Sequence, residues 1–105
     1  MTIPFKEWQK MDLRVGEIKE VQDHPNADKL YVLKVDIGKK VVQLVAGIKP
    51  FYKKDELKGK KVIVFVNLEP AMLRGVESQG MILAAGDSAS LLTPLKKVEN
   101  GSKIR

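Results

Sequence analysis

Residues Leu30 to Ile48 leave the chain little choice but a β-hairpin. Tyr31, Leu33, Val35 and Ile37 recur at every second position, which sets them on one face of a strand. Gly38-Lys39 then supplies a tight turn into a second run, Val41 to Ile48. Val62 to Val66 is a nearly continuous β-branched and aromatic stretch, suited to a strand buried on both sides. Ahead of the hairpin, Leu13, Val15, Glu17-Ile18 and Val21 mark a first strand ending at His24-Pro25-Asn26. Pro25 halts pairing there and biases His24 toward extended geometry. Gly80 to Ala85 reads as a further strand and Leu91 to Leu95 as a shorter extended piece. Pro50 to Lys60 holds a helical turn, Phe51 to Leu57, closed by Gly59. Residues 4–11 form a short helix with Pro4 in its first turn and Phe5, Trp8 and Met11 on one side. A helix that short needs a surface to pack on.

The order is therefore three strands, a short helix and two more strands, with a helix in front and an irregular tail. At 105 residues this is one domain, 1–105, with a single core. The expected architecture is all-β: a five-stranded OB-fold barrel with its short helix between strands three and four, plus the short N-terminal helix. A small sandwich fits the same pattern.

Composition removes several function classes. No apolar run approaches the roughly 20 residues that cross a bilayer. With no cysteine there is no disulfide framework, thiolate nucleophile or Cys-based metal site. The single histidine, His24, sits in a turn with no partner that sequence can assign, and reads as structural. Asp23, Asn26 and Asp28 are loosely spaced oxygen donors without the closing Glu of a calcium loop. No HExxH, GxGxxG or GxxxxGK[ST] occurs, so neither catalysis nor a metal or other cofactor is expected. A cytoplasmic protein fits these features. Net charge is +6, carried by sixteen Lys and three Arg. Lys49, Lys53, Lys54, Lys58, Lys60 and Lys61 cluster against only Asp55 and Glu56, the distribution of a phosphate-facing patch.

Two loops carry side chains suited to a nucleic acid. His24-Pro25-Asn26-Ala27-Asp28-Lys29-Leu30 offers Asn26 and Lys29 for a base edge or phosphate, or else only satisfies its own turn. Asn67 to Met81 is too long for a hairpin loop, and long ordered loops are often functional. Within it Arg74 has a fork suited to phosphate, Ser78 and Gln79 are short polar contacts, and Met81 is an adaptable stacking surface. The plainer alternative makes Met72, Leu73 and Met81 core plugs and Arg74 a salt-bridge partner.

Several segments recur together in one known family: Asp12-Leu13-Arg14-Val15-Gly16, His24 to Leu30, Val45-Ala46-Gly47-Ile48, Asn67-Leu68-Glu69-Pro70, Leu73 to Met81, Pro94 and Gly101 to Arg105. The chain thereby resembles the tRNA-binding domain found at the C-terminus of many methionyl-tRNA synthetases and as free-standing proteins. The resemblance implies an OB-fold that binds tRNA by structure, with little dependence on sequence, as a tRNA-binding protein or as an accessory domain or beta subunit of a methionyl-tRNA synthetase. Its implied tRNA contacts are Asn26, Lys29, Arg74, Ser78 and Met81, with Lys34 and Lys49 added for position and charge. It also implies a homodimer built through the helix at 4–11 and the segment 91–105, using Phe5, Trp8, Met11, Leu91, Leu92, Leu95 and Ile104. A homodimeric peptide-binding chaperone on the same fold is the rival reading.

Overall fold

The computed structural model describes all 105 residues. Helix α1 (Phe5–Gln9) leads into β1 (Leu13–Asp23), followed by β2 (Tyr31–Asp36), β3 (Val41–Ala46), α2 (Lys54–Leu57) and β4 (Lys61–Phe65). A two-stranded arm comes next, β5 (Ala71–Leu73) and β6 (Val76–Ser78). Three short strands follow: β7 (Met81–Ile82), β8 (Ala84–Ala85) and β9 (Ser90–Leu91). The main sheet is antiparallel throughout in the order β3-β2-β1-β4-β7. It is a nearly closed OB-type barrel with α2 between β3 and β4, as expected.

β1 is long because it serves two neighbours. Its first half pairs with β4 (Leu13 opposite Phe65) and its second half with β2 (Asp23 opposite Tyr31). A register shift between Ile18 and Glu20 bends it from one to the other, the usual effect of a bulge. The end of α2 is tied at that bend: Gly59 N–H donates to Ile18 O (2.7 Å), and Ile18 N–H donates to Lys60 O (3.0 Å). Gly16, in the first half, admits no side chain, since a Cβ would lie 2.5 Å from Val35 Cγ1.

The alternating residues Tyr31, Leu33, Val35 and Ile37 all point into the barrel, where they meet Ile18, Val42, Leu44, Leu57, Val62 and Val64. Ile63, on the other face of β4, packs in a second cluster with Leu13 and Val15, which explains the unbroken apolar run there. Met11, Val98 and Ile104 cover that second cluster. The tail from Asn100 onward is laid along β1: Gly101 N–H donates to Val15 O (2.7 Å), Val15 N–H to Ser102 O (2.9 Å) and Ile104 N–H to Leu13 O (2.9 Å).

Three expectations change in detail. Gly80 to Ala85 is broken at Leu83, whose N–H turns to Ile63 O (3.0 Å) while Ile82 pairs with Val64. The piece expected at Leu91 to Leu95 is regular only at Ser90–Leu91, because the chain runs into Pro94. The stretch Asn67 to Met81, expected as a loop, contains the β5–β6 hairpin.

Candidate nucleic-acid interface

The β5–β6 arm turns at Arg74-Gly75, both with positive φ (53° and 90°). That is the two-residue type I′ turn, where Asn-Gly or Asp-Gly is the favoured pair. An arginine in the left-handed region costs on the order of 1 kcal/mol. A residue kept there against its backbone preference points to its side chain as the reason.

The arm is held against the β1–β2 loop by reciprocal contacts. Asn26 Nδ2 donates to Arg74 O (3.2 Å) and Arg74 Nη2 donates to Asn26 O (3.3 Å). His24 Nε2 lies 2.8 Å from Leu73 O. Together the loop and the arm wall a cleft of about 420 Å³ lined by Asn26, Ala27, Asp28, Lys29, Leu30 and Arg74. Neither Lys29 nor Arg74 forms an ion pair, so both cations face the cleft with only Asp28 opposing them. Asn26, Lys29 and Arg74, distant in sequence, are thus brought to one place.

The remaining expected contacts divide. Lys34 donates to Gln43 Oε1 (2.6 Å), and Gln43 Nε2 in turn donates to Glu77 O (2.8 Å), so Lys34 is joined to the arm through Gln43. Lys49 pairs with Asp23 (3.1 Å), as does Lys54 (3.1 Å). These two bonds, Lys49's the larger, hold the Asp23 carboxyl below the usual carboxylate range. Lys61 is also committed, donating to Val98 O (2.7 Å). Half of the lysine cluster is therefore spent within the fold, leaving Lys53, Lys58 and Lys60 unpaired. Met81 sits on β7 opposite Phe65, 44% exposed, and does not line the cleft.

Ser78 takes an inward position. It is buried, and its hydroxyl is used twice inside: Val45 N–H donates to Ser78 Oγ (3.0 Å), and Ser78 Oγ donates to Gly80 O (2.9 Å). Next to it, Gln43 N–H donates to Gln79 Oε1 and Gln79 N–H donates to Gln43 O, both at 2.8 Å. These bonds join β3 to the end of the arm where no regular ladder forms. Ser78 thus fastens the barrel from a buried position. Ser78→Ala is expected to strand the buried Val45 N–H and cost about 1–3 kcal/mol in a denaturant melt.

Gln43 and Gln79, which no local pattern pairs, are the polar links that set the arm on β3. The dimer residues also divide. Phe5 (69% exposed), Leu92 (39%) and Leu95 (101%) are open, and Trp8 is 37% exposed. Met11 and Ile104 instead spend surface on the Leu13–Val15–Ile63 cluster, and Leu91 packs on the main core.

A family model described as "Putative tRNA binding domain" matches residues 13–103. The chain belongs to the tRNA-binding domain family. It is 59% identical over 105 residues to a methionine–tRNA ligase of Pyrococcus horikoshii, covering 98% of this chain and 14% of that enzyme. A methionine–tRNA ligase of Thermococcus kodakarensis is 59% identical with the same coverage. The chain thus spans about a seventh of the length of these relatives. Among solved structures, the CsaA chaperone protein of Picrophilus torridus matches with a TM-score of 0.90 and 38% identity, covering 99% of this chain and all of that one. A methionyl-tRNA synthetase-related protein of Pyrococcus horikoshii matches with a TM-score of 0.89 and 31% identity, over 100% of this tRNA-binding domain and 99% of that chain.

Proposed function

We propose that this domain binds tRNA by its folded structure, with little dependence on base sequence, either as a tRNA-binding protein or as an accessory part of a methionyl-tRNA synthetase in the cytoplasm. The observation that carries the reading is the clamped cleft, with Arg74 and Lys29 free of ion pairs on walls joined by Asn26. Unpaired lysines draw in the phosphate backbone and release its counterions. The arm and loop then read the shape of the RNA. Tethered or docked to a synthetase, such a domain raises the effective concentration of tRNA at the catalytic site. If about four phosphates are neutralised, affinity falls on the order of 100-fold between about 50 mM and about 200 mM salt. A filter-binding titration checks this, and a flat salt profile contradicts it.

The same proposal includes a homodimer. No side chain of α1 is buried. The helix is instead held by Asn67, which donates from Nδ2 to Lys10 O (2.7 Å) and accepts Asp12 N–H at Oδ1 (2.8 Å). Phe5, Trp8, Leu92 and Leu95 are consequently free to meet a second copy. Phe5→Glu combined with Leu95→Glu is expected to halve the mass in sedimentation while leaving the melt nearly unchanged. An unaltered mass removes these residues from an interface.

The likeness to a CsaA chaperone protein supports a second reading, in which the open apolar residues bind unfolded peptide.

A further inference from the structure

His24 is the one histidine of the chain, 5% exposed, and the RNA reading above leaves it unused. Both of its ring nitrogens are engaged, and their partners differ in kind. Asn26 N–H donates to Nδ1 (2.9 Å), so Nδ1 carries no proton. Nε2 lies 2.8 Å from Leu73 O, which can only accept, so Nε2 carries the proton and donates it. The neutral ring therefore does two jobs at once. Through Nδ1 it closes the turn of its own loop at Asn26, and through Nε2 it grips the arm one residue before Arg74.

We infer that His24 is the positioning residue that sets the register between the loop bearing Asn26 and Lys29 and the arm bearing Arg74. This inference rests on the RNA reading. The other bonds between loop and arm, 3.2 and 3.3 Å long, are exposed and open to competing water. The His24–Leu73 bond is shorter and its ring is buried, so the alignment of the two walls depends on it most. Without it the arm samples other positions, and the apparent affinity for RNA falls by the fraction of time the walls are aligned.

Protonation breaks the same latch. A second proton on Nδ1 would face the Asn26 N–H, donor against donor. The charged groups on the elements packed around the ring are Asp23, Asp28 and Lys29 on its own loop and Arg74 and Glu77 on the arm. Lys49 and Lys54 join them through their bridges to Asp23. Simple electrostatics and the latch then predict opposite signs. Added positive charge tightens binding to a polyanion, whereas an opened latch weakens it.

The test uses two substitutions that each keep one nitrogen's role. His24→Gln can place an amide N–H near the position of Nε2 and keep the grip on Leu73. His24→Asn can place a carbonyl near Nδ1, keeping the turn as an Asx-turn and losing the grip. With folded tRNA at low salt, His24→Asn is expected to bind roughly tenfold more weakly than the unaltered protein, and His24→Gln within about threefold of it. Should either variant fail to fold, the unaltered protein still decides. Its affinity is expected to fall when the pH is lowered from neutral until the ring takes up a second proton, a step followed directly by the NMR shifts of the His24 ring. Undiminished binding by His24→Asn, or binding by the unaltered protein that tightens toward acid, overturns the latch. No tRNA binding by any form at either pH overturns instead the RNA reading on which it rests.

Discussion

Arg74→Ala is expected to weaken tRNA binding by roughly 10- to 100-fold, and by the same factor for tRNAs of unrelated sequence. A charge-assisted hydrogen bond contributes about 1.5–3 kcal/mol, and the expected loss corresponds to one such bond from the exposed guanidinium to a phosphate. Nothing within the domain neutralises this arginine. Its one internal side-chain bond, to Asn26 O at 3.3 Å, is exposed. Lysine is not a substitute, because it offers a point charge without the fork. The position also gives a signature that a structural arginine lacks. With φ at 53°, Arg74→Gly relieves backbone strain and should raise stability by about 1 kcal/mol while lowering affinity. Binding and thermal melts on the same three proteins test both signs. An arginine held for stability would move the two quantities in the same direction.

Gly101→Val should cost about 3 kcal/mol or more and lower the melting temperature by roughly 15 °C. Gly101 has φ of 88°, a region that β-branched residues avoid. A Cβ there would lie 2.7 Å from Ile37 O and 3.2 Å from Gly38 Cα. The crowding is mutual, since a Cβ on Gly38 would lie 2.7 Å from Asn100 O. Neither neighbour is a flexible side-chain end that could swing aside. The substitution would lift the tail off β1, breaking the Gly101–Val15 bond and releasing Arg14 Nη1, which donates to Gly101 O (3.1 Å). It would also uncover the Leu13–Val15–Ile63 cluster that Ile104 and Val98 cap. The cleft sits at the other end of β2, about 20 Å away at strand rise. Well below the melt, tRNA affinity should therefore change little. Calorimetry and filter binding on the one variant separate the two effects.

The hairpin from Leu30 to Ile48 was legible in the sequence because period-two alternation is a local signal, and all four residues of its predicted inward face are buried. The Val62 to Val66 strand was legible for the complementary reason, with residues of two clusters alternating along it. The β5–β6 arm was not. Its strands bury only Ser78, so no apolar alternation marks them, and Arg-Gly stands where a hairpin turn is normally recognised by Asn-Gly or Asp-Gly. Asn26, Lys29 and Arg74 were legible as candidates from residue type and from family motifs. That they line one cleft follows from bonds spanning 48 residues, which no local pattern announces. Ser78 shows the limit of reading by residue type. A serine in a long polar stretch looks like a contact, and only the position of Val45 N–H reveals it as a fastening. The lysine cluster was legible only in part, because Asp23 lies far from it in sequence yet holds two of its members.

The most direct measurement is a competition assay at low salt in which one labelled tRNA is displaced from the domain by folded tRNA, heat-denatured tRNA, duplex DNA or an unstructured peptide. Folded tRNAs of different sequence should compete alike, and better than denatured tRNA or duplex DNA, while the peptide leaves the complex intact. Displacement by the peptide with no preference for folded tRNA would contradict the account and give the site to the chaperone reading.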